Sequence, residues 1–199
     1  MPAPAQPPEW SPKRALRDQV LASRRRRGSA DSAADAEAIA RQTMAWDVVR
    51  RAGAVAAYVS VGGEPGTRLL LDALHTAGVR VLLPVLRADF DLDWGVFTGE
   101  LVAVPRGLLE PAGPRLGVGA IAGADVVLAP GLAVSSSGDR LGQGGGCYDR
   151  ALARVTGEVP VAVVLHEDEV GLDVPTEPHD RPVTHVVTPA GVRRLPISP

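Results

Sequence analysis

Residues 54–84 place the strongest constraint on the fold. The apolar run AVAAYVSV over 54–61 leads into Gly62-Gly63-Glu64-Pro65. Thr67–Ala77 follows with leucines at helical spacing and Gly78 to end it, and a second apolar run covers 79–84. Runs that are apolar at nearly every position suit strands buried on both faces, whereas a half-wet strand alternates. Strand, helix and strand in that order make a βαβ unit, so the two strands are parallel. The pattern resumes with a central strand over 125–130, a helix from Cys147 to Val155, and strands over 159–165 and 183–187. The expected fold is α/β: one domain over 11–199, built on an open, mainly parallel sheet with helices on both faces. A chain of 199 residues fits that size.

The remaining segments are read from their ends. Residues 1–10 are expected to be a flexible lead. Ser11-Pro12 supplies an N-cap and a proline at the first helical position, so a helix runs to Arg27. Arg24 to Arg27 then read as a solvated helix end, where cations suit the dipole. A second helix is expected from Asp31 to Arg51, stopped by Gly53. Residues 85–124 are less legible, with a short strand at Trp94–Phe97 and turns over 105–119.

Charge and cysteine content exclude several function classes. Lys and Arg number 21 against 23 Asp and Glu, a formal net charge of −2, too balanced for a chain that neutralises nucleic-acid phosphates. Cys147 is the single cysteine, which excludes a disulfide framework and a zinc site built on cysteines. No uncharged apolar run approaches the roughly 18 residues that cross a bilayer. The opening MPAPAQPPEW lacks the apolar core of a secretory signal. The expectation is a cytoplasmic monomer with neither nucleic acid nor membrane as partner. Lys13 is the only lysine beside 20 arginines, and a compact ammonium differs chemically from a guanidinium fork.

Chemistry concentrates in residues 129–152, which hold five glycines between Gly138 and Gly146, after a strand and before a helix. Bare backbone N–H groups at such a junction bind phosphate, because glycine admits close approach and a helix start favours anions. A flexible surface loop is the plainer alternative. No G-x-x-x-x-G-K-[ST] is present, so this is not a P-loop. A dinucleotide fingerprint is closer, with Gly142-x-Gly144 and acids downstream at Glu167 and Asp168, but Cys147 stands at the third glycine position.

The stretch Gly138-Asp139-Arg140-Leu141-Gly142-Gln143-Gly144-Gly145-Gly146-Cys147-Tyr148-Asp149-Arg150 resembles the signature of the 5-formyltetrahydrofolate cyclo-ligase family. Other segments resemble that family in order. They are Lys13 to Arg17, Tyr58-Val59-Ser60 through Glu64, Glu110-Pro111, Glu177-Pro178-His179-Asp180 and Thr188-Pro189. The resemblance implies conversion of 5-formyltetrahydrofolate and ATP to 5,10-methenyltetrahydrofolate, ADP and phosphate with Mg²⁺, on folates with or without a polyglutamate tail. It implies an ATP site made of Lys13, Arg14, Ala15, Leu16, Arg17, Arg140, Leu141, Gly142, Gln143, Gly144, Gly145, Gly146, Cys147 and Tyr148. Lys13 and Arg140 would be its catalytic cations. Val59, Glu64 and Tyr148 would contact folate, and Asp149 and Asp180 would hold the metal.

The chain departs from the family pattern at several positions. Ser135 stands where an aspartate is common, Gln143 and Gly145 where Arg or Lys is common, Cys147 where Tyr is common, and Thr184 where an acid is common. Two other function classes therefore stand beside the ligase: a folate- or nucleotide-binding module without turnover, and a small Rossmann oxidoreductase. His166 and His179 are read as structural. Cys147, at a helix start near Arg140 and Arg150, is expected to have a lowered thiol pKa.

Overall fold

The computed structural model describes residues 11–196, and the expected lead over 1–10 lies outside them. The strands are β1 (Ala54–Ala56), β2 (Arg80–Leu86), β3 (Leu92–Val96), β4 (Leu101–Val104), β5 (Leu108–Pro111), β6 (Val126–Pro130), β7 (Ala133–Val134), β8 (Arg140–Leu141), β9 (Val161–Val164), β10 (His185–Thr188) and β11 (Gly191–Arg194). The α-helices are α1 (Pro12–Arg26), α2 (Ser29–Ala45), α3 (Asp47–Arg51), α4 (Arg68–Thr76) and α5 (Cys147–Leu152). A seven-stranded sheet has the order β11-β10-β9-β6-β1-β2-β3. Its five inner strands are parallel, and β3 and β11 close the two edges antiparallel.

The sheet is mainly parallel because its central strands are covered on both faces. Val55 packs on one side with Ile39 of α2 and with Leu70, Leu71 and Leu74 of α4. Ala56 and Val127 pack on the other with Trp94 and with Ala151 and Leu152 of α5. The leucines of α4 are fully buried, each stabilising the fold by roughly 2 kcal/mol. A Leu71→Ala change would cost about 2–5 kcal/mol through lost burial and a cavity. The chain steps from β1 to β2 in one direction and from β6 to β9 in the other. Right-handed crossovers in opposite directions put α4 and α5 on opposite faces.

Local chemistry sets the ends of the elements. The Ser11 side chain accepts from Arg14 N–H and Pro12 occupies the first turn, as the sequence predicts. The expected helix over 31–51 is two helices, because Trp46 leaves the helical region at ψ 121°. Its indole packs against the His185 ring, with centroids 4.8 Å apart. The expected strand over 54–61 pairs only through Ala56, with one further bond from Ala57 N–H to the Leu82 carbonyl. Beyond it the Thr67 hydroxyl replaces the ladder, donating to the Tyr58 carbonyl at 2.8 Å and accepting from Ser60 N–H at 2.9 Å. The illegible stretch folds as the β2–β3 and β4–β5 hairpins and a 3₁₀ turn over Val118–Gly123. No described helix is long and apolar enough to cross a membrane.

Candidate active site

A crevice opens where chain direction reverses, between the loops that leave the carboxyl ends of β1 and β6. Open α/β sheets bind ligands at such a switch point, since neighbouring loops part there. It holds a cavity of about 280 Å³ lined by Tyr58, Val59 and Glu64 after β1, by Pro84 and Leu86 of β2, and by Leu108 and Leu109 of β5. Across from them lie Pro130, Gly131, Arg140 and the run from Gly142 through Asp149. The walls are mainly apolar with a few polar groups, the make-up of a small-molecule site.

The glycine-rich loop is held rather than free. Gly138 has φ +93°, and a Cβ there would lie 2.5 Å from the Val183 carbonyl oxygen, so no other residue fits. Val183 N–H donates to the Gly138 carbonyl at 2.8 Å, tying the loop to the segment before β10. Gly146 takes the left-handed conformation, φ 67°, from which α5 starts. The Ser135 departure is accommodated locally. Its hydroxyl donates to Asp139 Oδ2 at 2.8 Å and accepts from Asp139 N–H at 3.0 Å, so Asp139 supplies a carboxylate at that corner. Thr184 bonds both N–H and carbonyl of Val161 and belongs to the sheet, away from the cavity wall.

Arg140 is the buried cation of the site, at 6% exposure. It donates to Asp149 Oδ1 at 2.8 Å and to the Pro130 carbonyl at 3.2 Å, and lies over the Tyr148 ring at 5.9 Å. Burial pushes the Tyr148 phenol well above its ordinary range, so it remains a neutral donor. Burial also raises Glu64, opposed by the Val61 N–H bond, by Arg24 and by a hydrogen bond from Gln143. Gln143, a departure in the signature, thereby links the glycine loop to the expected folate-contacting acid.

Helix α1 brings the second set of cations. Arg17 donates to the Gly142 carbonyl at 2.8 Å, and its guanidinium lies against Gly144. Lys13 Nζ lies 2.7 Å from Glu177 Oε2 and 2.6 Å from Asp180 Oδ2. Burial opposes its charge, yet the Asp180 and Glu177 hydrogen bonds outweigh that and raise its pKa. Arg14 and Ala15 face outward on the same helix, while Leu16 packs with buried Leu141 beneath it. Arg181 N–H donates to Asp149 Oδ1 at 3.4 Å, which brings the segment holding Asp180 beside Asp149.

The donor set fits a hard divalent cation. Asp149 and Asp180 offer carboxylate oxygens, the ligands Mg²⁺ prefers. Glu177, His179 and Asp180 place one donor atom each within 4.8 Å of one another, and the Lys13 ammonium already lies between two of these carboxylates. Glu177 is a donor that the Glu177-Pro178-His179-Asp180 motif alone does not reveal. His179, read as structural, is 69% exposed at this site.

Other expectations are corrected. Arg24 is no solvated helix end: the residue is 5% exposed and its guanidinium grips Glu169 through Nε–Oε1 at 2.7 Å and Nη2–Oε2 at 2.8 Å. It also donates to the Gly131 carbonyl at 2.7 Å, fixing α1 to the loop after β6. Asp168 pairs with Arg27 and Ser23, and Glu167 accepts from Ala190 N–H, so both acids downstream of Gly142-x-Gly144 are engaged elsewhere. His166 is structural as read, buried between Asp35 and the Gly63 carbonyl. The Cys147 thiol moves opposite to expectation, because burial pushes its pKa up by more than Arg150 lowers it.

Comparison with known proteins gives concordant results. Residues 9–189 match the 5-formyltetrahydrofolate cyclo-ligase family. A 5-formyltetrahydrofolate cyclo-ligase of Mycolicibacterium smegmatis is 44% identical over 183 residues, covering 89% of this chain and 93% of the relative. The Escherichia coli K12 cyclo-ligase is 34% identical over 159 residues, covering 77% and 87%. The NMR structure of Aquifex aeolicus 5,10-methenyltetrahydrofolate synthetase superposes with a TM-score of 0.80 at 26% identity, covering 94% of each chain.

Proposed function

The chain belongs to the 5-formyltetrahydrofolate cyclo-ligase family, and from that premise we propose how its residues divide the ATP-dependent closure of 5-formyltetrahydrofolate to 5,10-methenyltetrahydrofolate. One observation carries the assignment. Arg140 and Arg17 meet a glycine-rich loop that forms one wall of a mainly apolar cavity also lined by Glu64, and Lys13, one turn from Arg17 on α1, is held against Asp180.

Folate enters the apolar cavity between Val59 and Tyr148, with Glu64 accepting from its ring N–H groups. ATP lies along the loop from Gly142 to Gly146, whose backbone donors meet its phosphates. The formyl oxygen attacks the γ-phosphorus and ADP leaves. N10 then attacks the activated formyl carbon, loses its proton and expels phosphate. Negative charge spreads over the transferring phosphoryl group, where Arg140 and Lys13 stabilise it. Positioning supplies much of the remaining acceleration, since both substrates share one rigid crevice. Asp149 and Asp180, with Glu177 adjacent, would hold Mg²⁺, which neutralises phosphate charge when bound. Arg140 fixes the Asp149 carboxylate through their 2.8 Å ion pair.

The test is turnover of the purified protein. Mixing it with 5-formyltetrahydrofolate and MgATP should generate methenyltetrahydrofolate absorbance with one ADP per product. Tight binding of both substrates without product would instead make it the non-catalytic module.

A further inference from the structure

Tyr58 opens the family-like segment that runs to Glu64. It sits two residues past β1 and is 3% exposed. Its ring packs into the core with Val55, Leu70 and Leu74, and its backbone carbonyl is held by the Thr67 hydroxyl at 2.8 Å. The ring therefore has little freedom. Its hydroxyl is buried, and no described residue makes a hydrogen bond to it. Yet Tyr58 lines the cavity, within electrostatic reach of Glu64, Tyr148 and Arg24. Leaving a buried hydroxyl unpaired is destabilising, and phenylalanine would fill the same core space without that cost.

Tyr148 shows the same feature. Its hydroxyl is buried, lacks a partner among the described residues, and belongs to the same cavity. Two tyrosines with unpartnered hydroxyls and the Glu64 carboxylate thus line the same mainly apolar cavity. Such a set complements a flat heterocycle that carries a carbonyl oxygen beside N–H groups. An adenine ring has no carbonyl, whereas the fused ring of a folate does.

We propose that the Tyr58 hydroxyl is a substrate-binding group, donating a hydrogen bond to the ring carbonyl of the folate while Glu64 takes the adjacent N–H groups. The inference rests on the reading that this cavity receives the folate. It adds a specificity contact, because a heterocycle lacking that carbonyl leaves the hydroxyl unpaired in the complex. Sites built around buried polar groups discriminate by that penalty.

Tyr58→Phe removes the oxygen and keeps the ring. Its melting temperature should equal or exceed that of the unmodified protein. Equilibrium binding of 5-formyltetrahydrofolate without nucleotide should weaken about tenfold, a loss of about 1.4 kcal/mol. The KM for folate should rise to match, with kcat at saturation and the KM for ATP unchanged. Unaltered folate affinity, or a rise in the KM for ATP alone, would overturn the role of Tyr58. If the unmodified protein itself fails to bind 5-formyltetrahydrofolate, the reading of the cavity falls, and this proposal with it.

Discussion

Replacing Arg24 by methionine should destabilise the protein far more than an ordinary helix-surface change. The guanidinium makes two charge-assisted bonds to Glu169 and one to the Gly131 carbonyl, all between 2.7 and 2.8 Å. Both side chains of the pair are 2% exposed. Removing one partner leaves a carboxylate buried without its counter-charge, which costs about 3–5 kcal/mol. For a chain of this size that lowers the melting temperature by about 6–20 °C, and takes a large share of a total stability of about 5–15 kcal/mol. Urea denaturation followed by circular dichroism measures the loss, with an unchanged m-value showing that only stability moved. The double change Arg24→Met with Glu169→Leu should regain most of it, because a buried ion pair exchanged for apolar side chains is often neutral. A residue of the cost should persist, since Glu169 Oε2 also accepts from His166 N–H at 3.1 Å. A single variant that loses less than about 1 kcal/mol, or a double variant that loses the sum of the singles, would refute this reasoning.

Asp91 is held below the usual carboxylate range, chiefly by its hydrogen bonds to Arg154, so the pair stabilises the fold above the unfolded pKa and loses that effect as pH falls through the folded one. Asp91→Asn should cost about 1 kcal/mol at pH 7 for this partly exposed pair and nothing at strongly acid pH; a pH-independent difference in denaturation midpoint would contradict the assignment. Cys147, with its thiol pKa raised by burial, should alkylate more slowly than free cysteine at equal pH and more slowly still with MgATP, while Cys147→Ser retains most turnover. Alkylation at the rate of free cysteine would contradict the burial. Asp149→Asn should lower turnover by at least tenfold, with partial recovery at high Mg²⁺; full activity at limiting Mg²⁺ would remove Asp149 from the metal site.

The parallel core of the sheet was legible because β2, β6 and β9 are buried on both faces and read as continuous apolar runs. The β4–β5 hairpin was not. Val102 and Leu109 are exposed apolar residues there, so the alternation that marks a half-wet strand is blurred. The glycine loop was legible for a different reason: Gly138 through Arg150 are contiguous, and their chemistry is local. Residues whose meaning depends on distant partners were misread or passed over. Arg24 looks like a cation that complements a helix end, and its partner Glu169 is 145 positions away. Tyr58 reads as one more apolar strand residue, and only the fold shows that it lines the cavity with its hydroxyl unpartnered. The sign of the Cys147 shift failed because helix and arginine effects were read from sequence, whereas burial, the larger effect, was not.

Isotope transfer tests the central claim most directly. If the glycine loop and its cations drive phosphoryl transfer to the formyl oxygen, substrate carrying ¹⁸O in the formyl group should deliver that atom to inorganic phosphate. A single turnover with MgATP in ordinary water, followed by mass spectrometry of the phosphate, reads the outcome. One ¹⁸O per phosphate released is the predicted result. Unlabelled phosphate, with product formed at the normal rate, would contradict phosphorylation of the formyl oxygen and the division of roles built upon it.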